Sequence, residues 1–229
     1  ALEKLRELVR RRGEREPLQY ILGEVPWCDL RLKVDKRCLV PRAETEELWE
    51  KIVARAQESG KTPERILDLG TGSGALALAL KKSFPLAKVL ALERSEQTLA
   101  LAKENAALNA LEVDFIRSDW FAEVAPTATF DLIVSNPPYL TEMEFASAEP
   151  EVRVWEPKEA LTAPYDGLAD LLLIIEAAKP HLATNGELWL EHGIAHAGAL
   201  AAHAQKLAYS HCSHYKDVHG RDRFTRLIL

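Results

Sequence analysis

The 229-residue chain has only three cysteines, Cys28, Cys38 and Cys212, and no C-x-x-C pair. An odd, scattered set excludes a disulfide scaffold and reads as buried thiols in a reducing compartment. No apolar run reaches the ~18 residues that a membrane-crossing helix needs, and no signal peptide is visible, so a cytoplasmic protein is expected. Positive charge is also in short supply. With 29 Lys+Arg against 35 Asp+Glu, the net charge is −6, which argues against a chain built to grip nucleic acid. Repeats and low-complexity segments are absent. Met143 is the only methionine and the chain opens on Ala1, which reads as a trimmed start. A hydrophobic content of 47% supports one sizeable domain with a small appendage.

What is present is organised around two stretches. Asp68-Leu69-Gly70-Thr71-Gly72-Ser73-Gly74 precedes Ala75-Leu76-Ala77-Leu78-Ala79-Leu80, which predicts a strand, a glycine turn and a helix. Glycines let the chain turn sharply while its backbone approaches a ligand, and the N–H groups that open the helix suit an anion. The spacing is Gly-x-Gly-x-Gly, not the Gly-x-Gly-x-x-Gly of dinucleotide folds. Asp68 would repel a pyrophosphate yet accept from a ligand's amino group. Asp68, Gly70, Thr71, Gly72, Ser73 and Gly74 are therefore the expected cradle of a nucleoside cofactor other than NAD. The plainer reading is a glycine turn made for packing.

Asp131-Leu132-Ile133-Val134-Ser135 predicts a second buried strand, ending in Asn136-Pro137-Pro138-Tyr139. An asparagine offers one acceptor and two donors in a plane, matching an NH2 on an sp2 carbon. The prolines remove backbone donors and leave carbonyls free to face that NH2. Tyr139 adds a flat face for the substrate or a cation. A proline turn after a strand is the plainer alternative. Together the two stretches resemble the S-adenosylmethionine-dependent methyltransferases that act on a planar nitrogen.

Leu2, Leu5, Leu8 and Val9 share a helical face, and Arg10-Arg11-Arg12 then Gly13 suit a solvated helix end more than a nucleic-acid contact. Pro17 to Arg42 predicts a small β-hairpin. Within it, Pro17-Leu18-Gln19-Tyr20-Ile21-Leu22-Gly23-Glu24 and Leu39-Val40-Pro41-Arg42-Ala43-Glu44-Thr45-Glu46 resemble signatures of the HemK-like bacterial protein-(glutamine-N5) methyltransferases of peptide chain release factors. The resemblance runs from about Pro17 to the end. Ala43 and Lys158 stand where the family usually has Pro and Arg, and Glu93 where it more often has Asp. The family's N-terminal helical bundle could be represented here only by a last helix.

That resemblance implies a Rossmann-like class I methyltransferase fold: a mostly parallel seven-stranded sheet with an antiparallel edge strand, plus an N-terminal helix and a β-hairpin. The expected division is 1–16, a remnant helix; 17–42, the hairpin linker; and 43–229, the methyltransferase domain. Strands are predicted at Arg65 to Leu69, Lys88 to Leu92, Asp114 to Arg117, Gly186 to Glu191, Tyr209 to Tyr215 and Arg223 to Leu229. Helices are predicted at Glu44 to Gln57, Thr98 to Leu108, Asp166 to Lys179 and Ala197 to Leu207. Leu140 to Pro164 reads as a long irregular loop.

Glu93 lies about twenty residues beyond the glycine loop, the position of a carboxylate that grips ribose hydroxyls. By the resemblance, Asp119 accepts from the adenine amine and Trp120 packs on the ring; Trp120 reads equally as a core aromatic. Thr45 and Glu46 either cap their helix or close over the cofactor, the second being preferred. His192 and His196 beside Glu191 are too few for zinc, and no metal is expected.

The resulting expectation is methyl transfer from S-adenosyl-L-methionine to a glutamine side-chain amide in the Gly-Gly-Gln motif of release factors. Asn136 Oδ1 and the Pro137 carbonyl would hold the two amide hydrogens, Pro138 and Tyr139 would line the substrate, and no general base is required. The chain is expected to act as a monomer, without direct nucleic-acid or membrane contact. Alternatives are a glutamine methyltransferase of a ribosomal protein, an adenine-N6 nucleic-acid methyltransferase, and a non-catalytic nucleoside-binding partner.

Overall fold

The computed structural model describes residues 2–229. Its centre is a seven-stranded sheet in the order β5 (Asp114–Arg117), β4 (Lys88–Glu93), β3 (Arg65–Leu69), β6 (Phe130–Ser135), β7 (Leu182–Glu191), β9 (Asp222–Ile228), β8 (His211–Lys216). The first five run parallel, and β9 runs against both neighbours. The antiparallel edge is therefore a pair. The reversed strand lies one place in, and β8 is outermost.

Central strands of a parallel sheet are buried on both faces, so their residues sort alternately onto two cores. Ile66, Val89, Leu132, Val134 and Trp189 join the core beneath α3 (Ala43–Ser59) and α4 (Ala75–Ser83). Leu67, Leu92, Ile133, Leu188 and Leu190 join the opposite core, under α8 (Ala169–Ala178) and α9 (Ala197–Lys206). In α4 every residue from Ala75 to Leu80 is buried. An apolar stretch like this lies in the interior, and the helix reaches solvent only from Lys81 to Ser83.

The predicted hairpin is shorter than 17–42. Leu18–Leu22 forms a helical turn, α2, because Pro17 at its start has no N–H to lose. The hairpin proper is β1 (Glu24–Trp27) with β2 (Leu30–Lys33). Its free edge is taken by side chains of α5 (Glu96–Leu108) and its C-cap. Asn105 accepts from the Lys33 N–H at 2.7 Å and donates to its carbonyl at 3.1 Å. Asn109 treats Arg31 the same way, at 3.1 and 2.8 Å. Two carboxamides stand in for a strand.

α1 (Leu2–Gly13) leaves Leu2, Leu5 and Val9 exposed. Arg10, Arg11 and Arg12 near its end are ion-paired rather than merely solvated. Arg10 meets Glu7 and Glu14, Arg11 meets Glu16, and Arg12 reaches Glu151 at 2.8 Å. The stretch from Leu140 to Pro164 is more regular than expected, holding α6 (Glu142–Ser147), α7 (Pro150–Arg153) and a 3-10 turn at Lys158–Ala160. A complete capping box between Thr141 and Glu144 starts α6. Of the cysteines, only Cys38 is fully buried; Cys28 and Cys212 are half-buried. No helix of the described residues is long and apolar enough to cross a membrane.

Candidate active site

In a parallel sheet, the crevice at the carboxyl ends of the strands opens where the chain order reverses. Here β3 leads to β4 and β5 on one side and the chain then returns to β6 on the other. A cleft of about 250 Å³ lies at that point. Its wall includes the loop after β3, Glu93 at the end of β4, Asp119 and Trp120 after β5, and Asn136 and Pro138 after β6.

Gly70, Gly72 and Gly74 have φ of 68°, 58° and 84°, a region that side chains resist. A Cβ on Gly70 would stand 3.4 Å from the Trp120 ring. Trp120 holds a left-handed φ of 47° and packs on the core from the cleft wall, as a core aromatic would. Thr71 and Ser73 are buried in the loop. Asp68 is buried too and accepts from the Thr71 hydroxyl at 2.6 Å. Burial pushes its carboxyl up to about 7 against the hydrogen bonds from Thr71 and the Ala77 N–H, with the charge of Glu93 adding to the rise. Its nearest business is therefore to brace the loop at the start of α4. Glu93 accepts from the Gly72 N–H at 3.2 Å and the Ser95 N–H at 3.0 Å, which sets its carboxylate against the glycine loop. Asp119 is exposed at the cleft wall.

Alternation along β6 carries Leu132, Val134 and then Asn136 toward α3; along β7 it carries Trp189 and Glu191 to the same side. The Asn136 Nδ2 donates to Thr45 Oγ1 at 2.9 Å. Thr45 in turn donates to Glu191 Oε2 at 2.7 Å, and the Tyr139 hydroxyl donates to Glu191 Oε1 at 2.8 Å. Glu191 has no solvent exposure, and burial raises its carboxyl. Burial and the Glu191 charge hold the Tyr139 phenol well above its ordinary value. Pro137 is buried, and no backbone N–H of the described residues is aimed at its carbonyl.

Several expectations change. Tyr139 does not line the cleft: its hydroxyl turns to Glu191, and its ring faces the Arg223 guanidinium at 5.8 Å. Glu46 is likewise turned away, accepting from the Cys28 N–H at 2.6 Å. Thr45 lines the cleft and no side chain caps α3, so the capping alternative falls. Glu191 was passed over as a mere neighbour of two histidines. The available signal was a carboxylate closing an apolar strand, a place that Glu93 also occupies.

His192 binds the Gly193 carbonyl at 2.8 Å and the Thr225 hydroxyl at 2.9 Å. Burial lowers its imidazole to about 4. His196 meets the Asp166 carbonyl at 2.9 Å. These are packing histidines, and no group of three or more His, Cys, Asp or Glu among the described residues is placed to hold a metal ion.

Comparison with known proteins agrees with this geometry. A family model described as "Methyltransferase small domain" matches residues 46–154, and one described as "PrmC N-terminal domain" matches residues 1–23. The release factor glutamine methyltransferase of Pasteurella multocida (strain Pm70) is 41% identical over 239 residues, covering 98% of this chain and 79% of that protein. Its counterpart from Lactococcus lactis subsp. lactis (strain IL1403) is 42% identical over 223 residues, covering 97% and 81%. Among solved structures, a methyltransferase from Pyrococcus furiosus shares the fold with a TM-score of 0.65 at 21% identity, covering 88% of this chain and 89% of that one. With relatives this similar over nearly its whole length, the chain belongs to the release factor glutamine methyltransferase family.

Proposed function

We propose that this chain transfers a methyl group from S-adenosylmethionine to the side-chain amide nitrogen of a glutamine, in the Gly-Gly-Gln motif of a release factor. The observation that carries this reading is the Asn136 carboxamide, tied through Nδ2 to Thr45 at the cleft wall. An acceptor fixed there suits a planar NH2.

The cleft residues fit the cofactor. Backbone of Gly70, Thr71, Gly72, Ser73 and Gly74 would lie along it, in the left-handed turn that the three glycines hold open. The acceptor lone pairs of Glu93 left over from two N–H groups would take the ribose hydroxyls. Asp119 and Trp120 would meet the adenine, and the carboxylate of Glu93 beside the loop disfavours a pyrophosphate ligand. When bound, S-adenosylmethionine supplies an electrophilic methyl on a sulfonium.

An amide nitrogen is a poor nucleophile because its lone pair is delocalised, as the rotation barrier of ~18–20 kcal/mol records. Asn136 Oδ1 and the Pro137 carbonyl would accept its two hydrogens and stabilise the positive charge that grows as the lone pair enters the new N–C bond. The surplus proton then passes to water, so no side chain need act as base. Pro138 would border the amide, and Tyr139 would support this loop from behind. Residues 43–229 would carry the chemistry, with 1–16 and 17–42 beside it, in a chain acting as a monomer on a protein substrate.

Radiolabelled cofactor, offered with purified release factor, ribosomal protein and nucleic acid, tests this. Label should enter only the release factor, at the Gly-Gly-Gln glutamine. Label in adenine would replace this reading with the nucleic-acid alternative.

A further inference from the structure

An amide NH2 that is to receive the methyl group has to meet the oxygen end of Asn136, and an asparagine side chain can present either end. We propose that Glu191 is a positioning residue, which acts through Thr45 and Tyr139 to turn Oδ1 of Asn136 into the cleft. The inference rests on the glutamine-amide reading of the site.

Both Glu191 oxygens accept from hydroxyls, so this carboxyl gives Thr45 no proton, and a threonine hydroxyl has a single proton to give. Thr45 gives its proton to Glu191 Oε2 at 2.7 Å. Its oxygen is then left to accept, and the group that meets it at 2.9 Å must be the donor end of Asn136. Oδ1 consequently faces away from Thr45. The other carboxylate oxygen is held by the Tyr139 hydroxyl at 2.8 Å, which stops the carboxylate from rotating. Tyr139 belongs to the same loop as Asn136, so one carboxylate fixes both ends of that loop.

The cost of such an arrangement is visible. Glu191 is fully buried, and its oxygens are met by two hydroxyls rather than by a cation. Arg223 acts on it only from a distance, from above the Tyr139 ring, while Glu44 opposes it. A carboxylate buried this way costs stability, while its two hydrogen bonds do what an apolar residue there could not. Orienting an amide is such a task. A neutral Gln at this position would offer an NH2 to one of its partners. Facing Thr45, that NH2 would free the threonine proton to seek Asn136 Oδ1 and turn the amide round.

Hydrogen exchange of the Asn136 side-chain NH2, followed by NMR in the full chain without ligand, reads this directly. The resonance pair is identified by its loss in Asn136→Ala. In Glu191→Gln and Thr45→Val its exchange with water should quicken about tenfold, the loss of one buried hydrogen bond. Thr45→Ser, which keeps the hydroxyl, should retain the slow exchange. An Asn136 amide as protected in both Glu191→Gln and Thr45→Val as in the native chain overturns the proposal. In turnover on a Gly-Gly-Gln release factor, Glu191→Gln should lower kcat about tenfold with KM and cofactor affinity within about twofold. It should have no further effect in an Asn136→Ala background; independent, multiplying losses would show a merely structural role and overturn the proposal. Should the native chain methylate no glutamine at all, the functional reading fails while the exchange measurement still decides the inference.

Discussion

A Cβ built on Gly167 would lie 2.1 Å from the Tyr139 carbonyl oxygen and 2.8 Å from its carbonyl carbon. The turn before α8 thus rests on the backbone of the Asn136–Tyr139 loop. Gly167 has φ of 81°, and Tyr165 and Asp166 before it are also left-handed, at 54° and 55°. Gly167→Ala should therefore destabilise the chain by about 2–4 kcal/mol, combining a forced φ with a backbone overlap. Urea melts measure it, and a native midpoint would show that the turn can yield at little cost.

Asn136→Asp removes the donor that meets Thr45 and sets a second carboxylate on a hydroxyl with one proton. Turnover should fall about tenfold or more with little change in cofactor affinity, and Asn136→Ala should fall further, about 10²-fold or beyond. Single-turnover rates on a Gly-Gly-Gln release factor decide it. A native rate from Asn136→Asp would mean that the amide plane is not held by its own donors, and would favour a nucleic-acid amine as substrate.

Glu93→Ala should weaken S-adenosylmethionine binding by about 1.5–3 kcal/mol, the value of charge-assisted bonds to the ribose. The glycine loop would also lose the acceptor of its Gly72 N–H. Calorimetry on a variant that melts normally is the check. Unchanged affinity would take Glu93 out of the cofactor site.

Asp68 makes stability depend on pH. Its carboxyl is pushed up to about 7 in the folded chain, chiefly by burial, and returns to about 3.9 when unfolded. Between those values the folded chain holds more protons than the unfolded one. Its contribution is then full below about pH 4 and lost as pH rises through 7, by at most about 4 kcal/mol. Asp68→Asn should be relatively more favourable at pH 7.5 than at pH 4 by up to that amount. Denaturation curves at both values test the sign, and an equal effect at each would refute it.

Features set by neighbouring residues could be read from the chain. The turn at Gly70, Gly72 and Gly74, the position of Glu93 and the alternation of the central strands all follow from local spacing. The Thr45–Glu191 hydrogen bond spans 146 residues and the Asn136–Thr45 bond spans 91, so no window contains both partners. Each of those side chains also had a sufficient local explanation: a helix start, a substrate contact, a histidine neighbour. α6 and α7 escaped notice because helices of six and four residues are too short for a period of 3.6 to register. The clasp of Asn105 and Asn109 was hidden for a similar reason, since polar residues on a helix ordinarily read as its wet side.

β9 lies between β7 and β8, although β8 precedes it in the chain. During synthesis β8 emerges with no strand to pair with, and the sheet cannot grow outward one neighbour at a time. β9 completes the sheet by bonding on both sides, setting Phe224 opposite Glu191 and opposite Tyr215. The strand that carries Glu191 is thus held in register by β6 on its inner side and by this later-made segment on its outer side. The neighbourhood of Glu191, and through Thr45 that of Asn136, is therefore bordered by a strand that lies far later in the chain than the glycine loop's own neighbours, so that local spacing near Asn136 cannot complete it.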